Sequence, residues 1–526
     1  MDASEASRRW ATGPARPLAA SSHYPRSEEQ TPMGRAIDRD RFDASDFERF
    51  AERLERCLEV LRHLVGQAGF GLGPRTLGAE LELFLVGPQG RPLPVNQKVL
   101  HETIDPRLTY ELDRFNLECN LTPVALEGRP FAAVQAEVVE AVTEAERAAA
   151  AHGGRVAVVG ILPTLELEDL QPGAMSDVPR YRALSASLHR HPIDPFRIRI
   201  DGEEPLETWC DDVTFEGANT SFQIHLRVAP AEFSRLYNAA QAATAPVLAV
   251  SGNAPLFLGH RLWEETRIAL FKQSVDGRPI RGGHRLGPGR VTFGHGWIRG
   301  GAVELFEDLV RLYEPLLPVV APEGPREQLA RGKVPGLEEL RLHNGTVWRW
   351  NRAVYDPEEG GHLRIEMRAL PAGPTPVDMA ANAAFLVGLT LALAPTAERW
   401  TRELPFEPAH RNLYRAARDG LGARLFWQTE AGRGLSEVPA RELVRRLLPQ
   451  ARRGLERAGV DPAEAAGLLE VLGARVASGQ TGAVWQRRTL ERLEPRLGRR
   501  RALALLLERY MDRWAAGIPV HLWPVG

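Results

Sequence analysis

Three segments far apart in the chain each set an aliphatic face against an ionisable one, and this pattern limits the possible folds more than any other feature. In GAELELFLV, Gly78 to Val86, Glu80 and Glu82 share one face of a strand while Leu81, Leu83 and Leu85 share the other, because successive strand side chains point to opposite sides. FQIHLRV, Phe222 to Val228, presents Gln223, His225 and Arg227 in the same way, and LRIEMRAL, Leu363 to Leu370, presents Arg364, Glu366 and Arg368. Any one of these reads most simply as a strand with one solvated face. Taken together, paired glutamates, a histidine, a glutamine and several arginines are what a magnesium-phosphate site requires. Hard oxygen ligands suit Mg²⁺, and guanidinium forks suit phosphate oxygens.

Further acids come from TYELDRFNLECNLTP, Thr109 to Pro123, where Glu111 and Glu118 lie seven apart. In one continuous strand they would face opposite ways. A turn or bulge within residues 113–117 brings them to one side, and Glu118 then shares a face with Asn120 against Leu117, Cys119 and Leu121. Read alone, the segment is an ordinary hairpin.

Around these strands the pattern is α+β. Residues 1–42, rich in Ala, Ser, Arg and Pro without periodicity, read as a disordered leader. Apolar residues from Phe47 to Leu64 then fall at steps of three and four, the mark of an amphipathic helix over 43–65 with Asp43 or Ser45 as its cap. Short strands and helices such as 130–152 and 231–250 mix irregularly up to about 428, which disfavours a doubly wound parallel sheet. From 429 to 526 the pattern is nearly all helical, with segments near 438–457, 462–477, 482–494 and 498–515 and Thr481 as a cap.

Composition excludes several function classes. The formal net charge is -2, so no positive field exists to hold nucleic acid or an anionic membrane. Lys98, Lys272 and Lys333 are the only lysines, which leaves anion recognition to arginine. Three cysteines, Cys57, Cys119 and Cys210, fit neither a disulfide framework nor a paired zinc motif. With no signal-peptide pattern and no run of 18 apolar residues, the expected location is the cytoplasm. The chain contains no GxxxxGK[ST], no GxGxxG opening a helix, no HExxH and no GxSxG. Trp297, Trp348 and Trp350 could stack on a base, although tryptophans beside strands more often serve the core.

In order along the chain, the GxExE strand, the glutamates seven apart before Thr122 and Pro123, the QxH strand, SGNAPLFLG (251–259) with Arg267, HNGTVWRWNR (343–352) and IEMR (365–368) resemble the glutamate-cysteine ligase family. A later HRNLYRAARDGLGA, 410–423, extends the resemblance over roughly residues 77–425. It implies a glutamine-synthetase-like catalytic domain over 43–428, with a curved, mainly antiparallel sheet and flanking helices, followed by a C-terminal helical region. It also implies an enzyme, a carboxylate-amine ligase that takes ATP and Mg²⁺ and acts on small-molecule carboxylate and amine substrates, glutamate plus cysteine or another amine. Glu80, Glu82, Glu118 and Glu366 match the family's metal ligands, with Glu111 a further ligand or an amine-binding group. Arg368 matches the arginine that neutralises the transferring phosphoryl group. Gln223, His225, Arg267, Thr346, Trp350 and Arg352 match positions lining the nucleotide or amino-acid pocket. Either Glu111 or His225 could take a proton from the attacking amine. The family's third strand acid is replaced by Ala79 or Leu81, and the acid after the EMR motif is missing until Asp378, so the substrate is the open part of the resemblance. A kinase or ATP hydrolase on the same scaffold, a non-catalytic binding protein and a homo-oligomer all remain compatible with the sequence.

Overall fold

The computed structural model describes residues 41–188, 195–278, 280–281, 284–428 and 434–525. All of the expected leader but its last two residues lies outside them. The first helix, α1 (Ala44–Val65), begins where its cap dictates. Asp43 accepts from the Asp46 amide at 3.1 Å and Asp46 accepts in return from the Asp43 amide at 3.0 Å, a reciprocal cap that satisfies two otherwise orphaned amides. Its apolar face, from Phe50 to Leu64, is buried.

One antiparallel sheet organises the molecule. Its strands are β1 (Thr76–Val86), β2 (Leu108–Tyr110), β3 (Asn116–Asn120), β4 (Val124–Ala125), β5 (Arg155–Ala157), β6 (Phe222–Val228), β7 (Asn351–Asp356) and β8 (His362–Met367). The order across the sheet is β7-β8-β6-β1-β3-β2, with β4 and β5 paired to the two ends of β1. The long central β1 therefore touches four partners, and its aliphatic side, Leu77, Ala79, Leu81, Leu83 and Leu85, is at most 2% exposed. The expected α+β class with a mainly antiparallel sheet is what the chain adopts.

Helices cover that aliphatic side. Pro130–Ala150 lies against β1 and β5, and Pro376–Leu393 packs on it, on Phe233–Ser251, on Ala440–Arg457 and on Pro462–Ser478. Pro376–Leu393 is so apolar that by length and composition its region could cross a bilayer, yet 83% of its most apolar window is buried inside the protein. It is the central core helix of a layered fold. Two glycines allow its closest crossing: a methyl group on Gly454 would stand 2.1 Å from the Gly388 carbonyl oxygen, so the backbones meet where no other residue fits.

The four helices expected beyond 429 form at Ala440–Arg457, Pro462–Ser478, Gly482–Leu497 and Arg499–Ala515, and Thr481 caps the third through the Val484 amide. They share the core of the sheet layer. Buried Arg475 donates to Asp378 and Asn382, both at 2.7 Å, and to the Val250 carbonyl at 3.0 Å. Asp378 also accepts from the Val520 amide. Asp378 is thus an anchor for the C-terminal helices, and no substitute for the missing acid after the EMR motif.

Candidate active site

The register of the sheet assembles the site. Gly78 stands opposite His225, His225 opposite Glu366 and Glu366 opposite Arg352, a row across four strands. One step along, Glu80 stands between Gln223 and Asn120, and beyond it Glu82 faces Glu118. Directly opposed residues of antiparallel strands share a face, so acids from β1, β3 and β8 converge on the side away from the helices. These polar faces are not solvated: Gln223 is 1% exposed, His225 6% and Glu366 0%. The simple reading of strands with wet outer faces fails on this count.

Two clusters of ligand atoms result. Glu80, His225 and Glu366 form one, and Glu82, Glu111 and Glu118 the other, each with its atoms within 4.8 Å of one another. Glu111 follows β2 and Glu118 lies on β3, so the intervening turn brings both to one side. The Glu82 carboxylate accepts from the Ser221 amide at 2.7 Å and from Gln223 Nε2 at 2.9 Å. Glu366 accepts from Arg352 Nε at 2.7 Å and Nη2 at 2.8 Å, and from Arg368. Arg368 donates also to Gln223 Oε1, so Gln223 links the arginine to Glu82. His225 Nε2 lies 3.1 Å from Glu80 Oε1, while neither ring nitrogen makes an aligned hydrogen bond among the described residues.

Burial and mutual repulsion mark the second cluster electrostatically. Glu111 and Glu118 are pushed well above the ordinary carboxylate range, first by burial and then by neighbouring glutamates. Glu82 is raised by burial, against the pull of Arg368. Glu366 stands below the ordinary range because Arg352, Arg368 and His225 outweigh its burial. Arg368 is correspondingly raised: burial is overcome by Glu366, Glu82 and Glu80. Buried acids of this density need compensating cations to stay ionised.

A cavity of about 290 Å³ opens on this face. Glu80, Glu82, Glu111, Glu118, Gln223 and Arg368 line its sheet wall. Arg180 and Tyr181 from the helix Pro179–Leu188, Glu216 from the short helix Thr214–Gly217, and Trp348 complete its lining. Arg352 supports the site by gripping Glu366.

Of the six residues expected to line the pocket, Gln223 lines this cavity, His225 and Arg352 stand in the row beside Glu366, and the other three are turned elsewhere. Arg267 is buried behind it, paired with Glu265 at 2.7 Å and donating to the Ala369 carbonyl at 2.7 Å, where it fixes the chain just after Arg368. Thr346 turns its hydroxyl to the His343 carbonyl, and Gly345 lines the cavity in its place. Trp350 is a core residue packed edge-on to Phe271, while its neighbour Trp348 reaches the cavity. Trp348 also packs edge-on against Phe271; residues two apart share a face of a regular strand, so alternation cannot tell which of the two tryptophans reaches the cavity. Sequence reasoning also missed Glu216, on a four-residue helical turn, and Arg180 and Tyr181, at the start of the helix Pro179–Leu188, neither of which gives a periodic signal. The proximity of Glu216 to the QxH strand was the only pointer.

The chain matches the glutamate-cysteine ligase family 2 over residues 76–282 and 314–503. No curated protein sequence matches it. Among solved structures it is similar to glutamate-cysteine ligase from Francisella tularensis in complex with AMP, at 10% identity and a TM-score of 0.53, covering 87% of this chain and 91% of that one. A bifunctional glutathione synthetase from Pasteurella multocida gives 11% identity and a TM-score of 0.46, covering 89% of this chain and 54% of that one. At 10% identity the likeness to the Francisella tularensis structure establishes the shared fold.

Proposed function

The chain belongs to the glutamate-cysteine ligase family 2 and is an ATP-dependent carboxylate-amine ligase, and from that premise we propose that it works with Mg²⁺ through an acyl phosphate, on glutamate or a related carboxylate and an amino-acid amine. The observation that carries this reading is the strand register that sets Glu80, Glu82, Glu118 and Glu366 on one face beside Arg368.

The donor set fits a hard divalent cation. Carboxylate oxygens from three strands, with more buried acids than Arg352 and Arg368 balance, form oxygen-rich clusters of the kind Mg²⁺ prefers. Glu82, Glu111 and Glu118 would hold one ion, and Glu80 and Glu366 with His225 another. Mg²⁺ there would neutralise the phosphate oxygens of ATP and draw charge from the leaving ADP.

The chain's own groups do the positioning. Arg368, on a wall it shares with Glu80, Glu82 and Glu118, meets the charge on the transferring phosphoryl group. Gln223 holds Arg368 and Glu82 in mutual register, and Arg352 fixes Glu366. The substrate carboxylate oxygen bonds to the γ-phosphorus as the bond to ADP breaks, giving an acyl phosphate. The amine nitrogen then bonds to the acyl carbon, inorganic phosphate leaves, and the amine gives up a proton. Phosphoryl transfer of this kind rests on alignment and charge neutralisation.

Measuring ADP release from Mg·ATP over pairs of amino acids tests the proposal. Release that requires both a carboxylate and an amine is expected. Release that needs no carboxylate, or that leaves a stable phosphorylated product without an amide, would overturn it.

A further inference from the structure

Five glutamates line the cavity: Glu80, Glu82, Glu111, Glu118 and Glu216. Four of them fall into the two ligand clusters, and Glu216 belongs to neither. It also comes from outside the sheet, on the turn Thr214–Gly217 that precedes β6. We propose that Glu216 is the receptor for the ammonium group of the incoming amine, which deepens the ligase reading and rests on it.

The turn carrying Glu216 is built to hold that carboxylate still. Asp212 Oδ1 accepts from the Thr214 amide at 2.8 Å and from the Thr214 hydroxyl at 2.6 Å. Asn219 Nδ2 donates to the Phe215 and Glu216 carbonyls, both at 2.9 Å. Phe215 is buried edge-on against Phe257. Gly217 permits the turn to lie on the buried Asp113: a methyl group there would stand 2.4 Å from Asp113 Oδ2. With its backbone pinned on both sides, Glu216 is directed into the cavity, and its carboxylate accepts no hydrogen bond from any described residue.

A ligase of this kind needs two sorts of carboxylate. One sort binds cations that hold phosphate. The other must meet the amine, which is an ammonium ion at neutral pH, near the acyl carbon. Glu216 lines the same cavity as Glu82, Glu118 and Arg368, near enough for their charges to act on it, so an ammonium group held there stands beside an acyl phosphate bound on the sheet. A fixed carboxylate with open acceptor sites binds an ammonium group through short charge-assisted hydrogen bonds.

Hydroxylamine separates this role from the metal and phosphate chemistry, because it is largely uncharged at neutral pH and captures acyl phosphates as hydroxamates. Wild type, Glu216→Gln and Glu216→Asp are assayed with Mg·ATP and L-glutamate, taking either L-cysteine or hydroxylamine as nucleophile. The expected result is that Glu216→Gln lowers kcat/KM for L-cysteine about 10- to 100-fold, mainly through KM, while hydroxamate formation stays within about twofold of wild type. Glu216→Asp recovers part of the cysteine reaction. Equal loss of both reactions in Glu216→Gln, or no loss of either, would overturn the assignment. Wild type giving hydroxamate neither with L-glutamate nor with related carboxylates in its place would overturn the ligase reading itself, and the inference with it.

Discussion

Arg352 and Glu366 stand directly opposite each other on β7 and β8 and join through two hydrogen bonds, of 2.7 and 2.8 Å, with both side chains at most 5% exposed. Removing one partner of a buried ion pair leaves the other charge uncompensated, at about 3–5 kcal/mol. Arg368 still pairs with Glu366, so Arg352→Met is expected to lower the unfolding free energy by about 3 kcal/mol, the low end of that range, and chemical denaturation measures it. Because Glu366 also loses its alignment, ATP turnover should fall by more than the folded fraction does.

The metal-free acid cluster makes the opposite prediction for Glu118. Its carboxylate is buried among Glu80, Glu111 and Glu82, and like charges at such a site oppose folding. In the presence of a chelator, Glu118→Gln should raise the unfolding free energy by roughly 1 kcal/mol. Added Mg²⁺ should stabilise wild type more than the variant, and thermal melts with and without the ion measure the difference.

The crossing of Pro376–Leu393 with Ala440–Arg457 depends on glycine. At Gly454 a methyl group would strike the Gly388 carbonyl oxygen at 2.1 Å, and backbone on both sides cannot yield. Gly454→Ala should destabilise the protein by about 1–3 kcal/mol, read as a lower denaturation midpoint. A helix exchange of Gly for Ala at an open position would instead stabilise it.

Acid sensitivity should show at Glu204. Its carboxylate accepts from Arg499 at 2.7 and 2.9 Å and from Arg261 at 3.0 Å, and the Arg499 bonds hold it down to about 2. A carboxyl lowered on folding contributes stability above the unfolded value near 4.5, and that stability is lost as pH falls toward 2. After allowance for solvent screening the contribution is about 1 kcal/mol. Glu204→Gln should therefore be less stable than wild type at pH 7 and equal to it near pH 2, as denaturation at the two pH values would show.

Much of the fold was legible because local chemistry and tertiary packing agree. Asp43, Thr481 and the apolar steps of α1 mark helix limits that the structure keeps. The alternation in β1, β6 and β8 identified both faces of the sheet, since a period of two leaves no other assignment for Glu80 and Glu82. What alternation could not supply was register. That Gly78 faces His225, leaving room beside it, follows from how separate strands align. The walls of the cavity were least legible: Glu216 sits on a four-residue turn laid against Asp113, and Arg180 opens a helix with no sustained apolar period. Arg267 and Trp350 illustrate the converse, residues with functional chemistry whose side chains are taken up by Glu265, Ala369 and Phe271.

The central claim is that acids from β1, β3 and β8 hold the divalent cation that binds ATP phosphates. Titrating Mn²⁺ in the presence of ATP, followed by electron paramagnetic resonance, into wild type and into Glu82→Gln reads this directly. The account predicts tight binding to wild type and a loss of at least about tenfold in the variant, with the fold unchanged by circular dichroism. Equal Mn²⁺ binding by the two proteins would contradict it.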